Sequence, residues 1–178
     1  MMLKDQTKLA VKIAFSIQQT AQELNLTPIS VRASADIECD EIRMFDMLVT
    51  EPKWRLTTRE LFFNGHYALA VEEAHKCLNN EVKSRSKNTT ADGAGLMKTV
   101  FSLNNPILKI NELRTRSQQD QQLGYMEILA GCMTGIRNPR AHEHKYLDEP
   151  NTALELLVLA NHLMEIVSNA KRVRRRRR

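Results

Sequence analysis

Glycine, proline and cysteine are all scarce in this 178-residue sequence, which contains 6 Gly, 5 Pro and 3 Cys. So few Gly and Pro residues argue against a loop-rich β-sandwich and against a collagen-like fibre. Cys39, Cys77 and Cys132 are irregularly spaced, and no two of them form a C-x-x-C pair. Such cysteines are typical of a reducing compartment, where thiols serve as small apolar side chains.

The sequence also lacks a long apolar segment. The richest one, residues 153–160, is short and contains Glu155, whereas a membrane-spanning helix needs about 20 apolar residues. Charged and amide side chains interrupt residues 1–24, so this segment does not have the apolar core of a signal peptide. We therefore predict a cytoplasmic protein that does not interact with a membrane.

Positive charge is concentrated at the end of the sequence. The net charge is +5, yet seven of the 26 Lys and Arg residues lie within the last eight positions. Residues 1–170 carry 19 positive and 21 negative side chains, a net charge of −2. We predict that residues 171–178 form a disordered basic tail, which could bind RNA phosphates through its cations. These cations are Lys171, Arg172, Arg174, Arg175, Arg176, Arg177 and Arg178.

Apolar residues recur with a helical period through most of the chain. They predict helices over residues 4–24, 96–103, 117–136 and 154–167, and Ile42, Phe45 and Leu48 indicate a further one. A capping box at Thr57 and Glu60 predicts another helix that runs to about residue 85. No segment alternates as a strand does. The sequence therefore predicts an all-α helical bundle.

Arg137 is an anomaly, because it continues an apolar helical stripe formed by Leu123, Met126, Ala130 and Met133. A guanidinium is always charged, so a position on the inner face is costly without an anionic partner or a wet cleft. Pro139 lacks an amide hydrogen, and we expect the helix to end or kink near Asn138. In an unbroken helix His142 would be rotated about 140° from Arg137. A break could bring both side chains into one pocket.

A guanidinium beside an imidazole suits the cleavage of a phosphodiester in RNA. The imidazole of His142 can remove the proton of a ribose 2′-hydroxyl. The guanidinium of Arg137 can hold the phosphorane as negative charge develops. This mechanism requires neither a metal nor a cofactor.

The residues around this pair resemble a known signature. The segment Gly-Ile-Arg-Asn-Pro-Arg-Ala-His-Glu at 135–143 is similar to the Arg-x4–6-His motif of the HEPN superfamily. More narrowly, the chain resembles the bacterial subgroup called Ymh-type hypothetical proteins. The resemblance covers about residues 61–167 and includes the segment 65–74, Gly95-Leu96-Met97, Gly124 and the apolar last helix.

The resemblance implies a HEPN-like helical bundle over residues 56–170, after an N-terminal helical extension (1–55) and before the tail (171–178). It implies a homodimer or higher oligomer in which two copies line one cleft. It also implies a metal-independent endoribonuclease, a toxin or effector of anti-phage defence with an antitoxin or another defence protein as partner. Arg137 would stabilise the transition state, His142 would act as general base or acid, and Asn138 would orient them. Arg140, Glu143 and His144 are predicted to support the pair.

Two other interpretations remain open at this point. His142, Glu143 and His144 could ligate a metal, but the sequence offers no supporting fourth ligand nearby. The net charge of −2 over residues 1–170 favours a catalytically silent module that binds nucleotide, RNA or a protein partner in a defence complex. His75 lies on an inner stripe and is predicted to be a core histidine.

Overall fold

The structure is a computed structural model that describes residues 32–143 and 146–173, with side chains from residue 40 onward. The chain divides into two compact units, Met1–Asp40 and Glu41–Arg178. The helix predicted over residues 4–24 lies outside the described residues, as do His144 and the five arginines 174–178.

The described residues form mainly α-helices, which confirms the prediction of an all-α fold. The helices and strands, in chain order, are α1 (Arg32–Leu48), α2 (Arg55–Phe63), α3 (Tyr67–Ser86), α4 (Gly93–Val100), β1 (Leu108–Lys109), α5 (Arg116–Gly131), a π-helical turn (Cys132–Arg137), α6 (Asn138–His142), α7 (Pro150–Asn169) and β2 (Lys171–Arg172).

The core lies mainly between α3 and α7, which pack along one another. The apolar stripe predicted on α3 is buried, because side chains three and four residues apart share one face of the helix. Helix α7 begins at Pro150, whose missing amide hydrogen is tolerated in the first turn. The buried side chains of this interface include Val71, Ala74, Leu78, Val82, Leu157, Ala160, Leu163 and Val167.

The sequence predicted one helix from the capping box to residue 85, and this prediction is wrong. The chain forms α2 and α3 instead, and Gly65 between them has φ +76, a left-handed conformation that favours glycine. The capping box is also absent, because α2 begins after Trp54 without a side-chain cap. The hydroxyl of Thr58, rather than that of Thr57, donates to the Trp54 carbonyl at 3.1 Å.

Two short strands join the end of the chain to the segment between α4 and α5. Leu108 pairs with Arg172 and Lys109 with Lys171, in antiparallel register. Two residues that were predicted to begin the disordered tail, Lys171 and Arg172, therefore form β2. The sequence predicted no strand, because strands of two residues are too short to show an alternating pattern.

Gln122 fixes the segment that leads into β1. This side chain of α5 is fully buried, and its Nε2 donates to the carbonyls of Phe101 and Leu108 at 3.1 and 3.0 Å. Its Oε1 accepts from the amide of Ile110 at 3.0 Å. One side chain thus satisfies three backbone groups that a loop would otherwise leave unpaired in the interior.

Candidate functional site

The segment that carries the predicted site is a continuous helical stretch of unusual geometry. The helix does not end at Asn138, which was one of the two predicted outcomes, because the chain continues through Pro139 to His142. The amide of Asn138 donates to the Met133 carbonyl, five residues earlier. This wider π-helical spacing just before Pro139 accommodates a ring that would clash with the carbonyl four residues back in a regular α-helix.

The Arg137 guanidinium is partly buried and only partly satisfied. Its Nη1 donates to Asn138 Oδ1 at 3.0 Å. Its Nε is buried and has no hydrogen-bond partner. A buried donor without an acceptor costs roughly 1–3 kcal/mol, more when the group is charged. Arg137 therefore retains one buried hydrogen-bond donor, its Nε, without an acceptor.

His142 is the last residue of α6 and is exposed. It follows Arg137 by five positions along the helix, which rotates the two Cα positions about 140° from one another. No hydrogen bond joins the two side chains in the part of the chain that the structure describes. Asn138, which accepts a hydrogen bond from Arg137, lies one helical turn before His142 on the same face, where Cβ atoms are about 5–6 Å apart.

Arg140 is engaged in a buried ion pair. Its Nε and Nη2 both donate to the Asp148 carboxylate at 2.6 Å, and only 4% and 5% of the two side chains are exposed. Its Nη1 donates to the Ile136 carbonyl at 2.8 Å, and its guanidinium lies 4.9 Å from the centre of the Tyr146 ring. Arg140 thereby joins α6 to the segment that leads into α7, and its donors are directed into the protein.

The sequence did not predict the contacts that Asp148 and Tyr146 make with Arg140. The Asp148 carboxylate binds Arg140, and Glu149, the residue before α7, makes no side-chain cap. The pairing joins residues eight positions apart across a non-helical segment, which helical periodicity cannot reveal. The only sequence signal was an acidic pair, Asp148-Glu149, following an arginine on a helix.

Glu143 and Lys171, two of the other predicted site residues, make no side-chain hydrogen bond or ion pair with Arg137 or His142 within the described residues. Glu143 is exposed directly after α6, and its amide donates to the Pro139 carbonyl at 2.9 Å. Lys171 forms an exposed ion pair with Glu112 at 2.9 Å.

Among the described residues, no three His, Cys, Asp or Glu side chains are grouped so that they could hold a metal ion. None of the described helices is both long and apolar enough to cross a membrane.

His75 is fully buried on α3, as predicted. Its Nδ1 donates to the Val71 carbonyl at 2.8 Å, which leaves the lone pair on Nε2 without a partner. Burial, together with the smaller effect of the nearby Arg140 charge, lowers the pKa of His75 from 6.5 to about 4, although the hydrogen bond to Val71 opposes this shift. The folded protein therefore holds this imidazole neutral in mildly acidic solution.

The free energy of unfolding should depend on this imidazole. The unfolded chain binds a proton near pH 6.5 and the folded chain only near pH 4, so stability is full above pH 6.5 and falls as the pH decreases towards 4. We expect a loss of about 2–3 kcal/mol between pH 7 and pH 4.5 in urea unfolding. His75→Met should lack this loss, while the exposed control His162→Gln should keep it. Equal pH dependence in wild type and His75→Met would contradict this interpretation.

Of three comparisons with known proteins, the one with family models found a match. No curated protein and no solved structure matches the chain. A family model described as "Protein of unknown function (Hypoth_ymh)" matches residues 52–167. The matched region begins just before α2, ends within α7 and includes Arg137, Asn138, Arg140, His142 and Asp148. Since this region covers about two thirds of the sequence, the chain belongs to the Hypoth_ymh family.

Proposed function

We propose that this protein is a metal-independent endoribonuclease of the HEPN type, in which Arg137 and His142 cleave RNA. The observation that carries the proposal is the hydrogen bond of 3.0 Å from Arg137 Nη1 to Asn138 Oδ1. It draws the guanidinium towards the helix face that Asn138 shares with His142, although the two Cα positions are rotated apart. When a second copy of the chain completes the cleft, a cation and an exposed imidazole can act on one phosphodiester.

The proposed reaction is transesterification within the RNA strand. His142 removes the proton of a ribose 2′-hydroxyl, and the 2′-oxygen attacks the adjacent phosphorus. The bond from phosphorus to the 5′-oxygen breaks, and that oxygen takes up a proton. The products are a 2′,3′-cyclic phosphate and a 5′-hydroxyl, so atoms and charge balance without a metal. Arg137 stabilises the negative charge that develops on the phosphorane oxygens.

Each residue of the segment has a separate role in this proposal. Arg137, whose side chain is only partly buried, supplies guanidinium donors to a phosphate oxygen. Asn138 is a positioning residue, because its amide oxygen holds the guanidinium. Arg140 supports the site by fixing α6 through Asp148. A second copy of the chain completes the cleft, since one helix alone presents Arg137 and His142 in different directions.

We extend the proposal to a biological role on the basis of the HEPN resemblance. The enzyme acts as a toxin or effector in anti-phage defence, and an antitoxin or another protein of the defence system restrains it. The homodimer is the active unit.

The first test is a cleavage assay that separates this mechanism from metal-dependent hydrolysis. Purified wild-type protein is incubated with end-labelled RNA in excess EDTA, beside the same sequence with 2′-deoxyribose at every position. We expect the RNA to be cleaved and the 2′-deoxy strand to remain intact, because the latter lacks the nucleophile. Cleavage of the 2′-deoxy strand, or cleavage of RNA only after a divalent metal is added, would contradict the proposal.

A second candidate function is a catalytically silent module that binds RNA, nucleotide or a protein partner. The observation in its favour is the net charge of −2 over residues 1–170, together with the exposed Glu143 directly after His142. This function predicts that wild-type protein binds RNA without turnover. It also predicts that His142→Ala binds RNA as tightly as wild type does.

A further inference from the structure

A cleft of about 1030 Å³ lies at the carboxyl end of α3, away from the segment that carries Arg137 and His142. Three parts of the chain line it: the residues after α3, the residues before β1, and the end of β2. Its lining consists of Ser86, Lys87, Asn88, Thr89, Thr90, Asn105, Pro106, Ile107, Arg172 and Val173. Polar side chains and cations predominate, and no aromatic or carboxylate side chain occurs among these described residues.

The two cations of the cleft, Lys87 and Arg172, differ from their neighbours. Neither side chain has an ion pair or hydrogen bond within the described part of the chain. The cations around them are engaged: Lys83 contacts Asp92 at 3.1 Å, Arg85 donates to the Ala170 carbonyl at 2.7 Å, and Lys171 contacts Glu112 at 2.9 Å. Two positive charges thus line a cavity in which no described lining residue carries a negative charge.

The backbone at Lys87 gives an independent reason to assign a function to this side chain. Lys87 follows the last residue of α3 with φ 57 and ψ 30, in the left-handed region. Helices commonly end on glycine in this conformation, because a Cβ makes it less favourable. A lysine that keeps this conformation beside a cavity is the kind of strained residue that clusters at ligand sites.

We propose that this cleft binds the sugar–phosphate backbone of single-stranded RNA as a second contact site, a proposal that rests on the proposed function. Two free cations and the side chains of Asn88, Thr89, Thr90 and Asn105 suit phosphate oxygens and ribose hydroxyls. The absence of an aromatic side chain among the described lining residues excludes base stacking there, so binding is independent of sequence.

The cleft is placed to hold a strand whose scissile linkage lies elsewhere. Lys87 follows His75 by 12 residues of α3, which is about 18 Å along the helix axis. His75 in turn is near Arg140, in the segment of the proposed active site. Arginines 174–178 follow Val173 in the sequence, so further positive charge is attached directly to a lining residue.

The test measures binding of RNA to the full chain carrying His142→Ala, which prevents cleavage. A fluorescent 20-nucleotide oligouridine is titrated in anisotropy experiments at several salt concentrations. Lys87→Gly and Arg172→Gln, each added to this background, should weaken binding about 3- to 10-fold. Each should also reduce the slope of log affinity against log salt by about 0.7, the value for one phosphate contact of a single strand.

The controls separate a lost contact from a damaged fold. Lys98→Gln removes one exposed positive charge on α4 and should change neither the affinity nor the salt slope. Lys87→Gly removes the unfavourable left-handed lysine, so its thermal midpoint should equal or exceed that of the parent. Unchanged binding in both Lys87→Gly and Arg172→Gln overturns the proposal. Equal competition by polyglutamate of matched charge also overturns it, because the surface would then fit an acidic protein.

The results can refute RNA binding by the cleft and the proposed nuclease activity separately. Wild-type protein that leaves RNA uncut, while Lys87→Gly still weakens binding, refutes the nuclease and supports the cleft. Cleavage of RNA by wild type together with unchanged binding by both cleft variants supports the nuclease and refutes the cleft.

Discussion

His142→Ala is expected to lower the rate of RNA cleavage by a factor of about 10² to 10⁴, the usual contribution of a positioned general base. The imidazole is exposed and makes no described hydrogen bond, so its removal should change the free energy of unfolding by less than about 0.5 kcal/mol. A large loss of rate with an unchanged fold would identify a chemical role. The measurement is single-turnover cleavage of labelled RNA in EDTA, with unfolding followed in parallel.

Arg137→Ala should lower the same rate about 10²- to 10³-fold, because it removes a donor to the developing phosphorane charge. The double variant Arg137→Ala/His142→Ala should be little worse than His142→Ala alone, since residues that act as a unit are not additive. Matched controls are His162→Ala and Arg116→Ala, both exposed and outside the segment. A rate for His142→Ala within twofold of wild type would remove it from the mechanism.

Asp148→Asn is expected to lower the free energy of unfolding by about 3–5 kcal/mol. The amide keeps the shape of the carboxylate but leaves the Arg140 guanidinium buried without a counter-charge, and both side chains are almost fully inaccessible. Urea unfolding at pH 7 measures the difference. The control Asp120→Asn breaks an exposed ion pair with Arg116 and should cost less than about 0.5 kcal/mol.

Replacing both Arg140 and Asp148 separates two contributions to the free energy of unfolding. One is the penalty of a buried unpaired charge, and the other is the net stabilisation by the ion pair. Arg140→Met/Asp148→Leu removes both charges and should recover much of the stability that Asp148→Asn loses. Since the pair joins α6 to the approach of α7, Asp148→Asn should also lower RNA cleavage. A loss below about 1 kcal/mol for Asp148→Asn would show that this contact does not hold the segment in place.

The helical architecture could be predicted because apolar periodicity is a local signal. The buried stripe on α3 and the start of α7 at Pro150 follow from residue spacing and from the chemistry of proline. The break at Gly65 was missed, although Asn64-Gly65 is a common helix ending, because apolar residues continue in register on both sides of it.

The geometry of the site was harder to predict than its position. A proline usually ends a helix, but the π-helical turn before Pro139 absorbs its effect, and hydrophobic spacing does not reveal such turns. The pairing of Arg140 with Asp148 is a tertiary contact without a periodic signal. The sequence places Arg137, Asn138 and His142 in one segment, whereas residue spacing does not reveal the hydrogen bond between Arg137 and Asn138.

The nature of the RNA ends tests the central mechanism most directly. Wild-type protein in EDTA should release fragments with a 2′,3′-cyclic phosphate on one side and a 5′-hydroxyl on the other, as resolved by mass spectrometry. The same incubation with His142→Ala should release none above background. Fragments that carry a 5′-phosphate, or cyclic phosphate formed equally by His142→Ala, would contradict attack by a 2′-hydroxyl that this histidine activates.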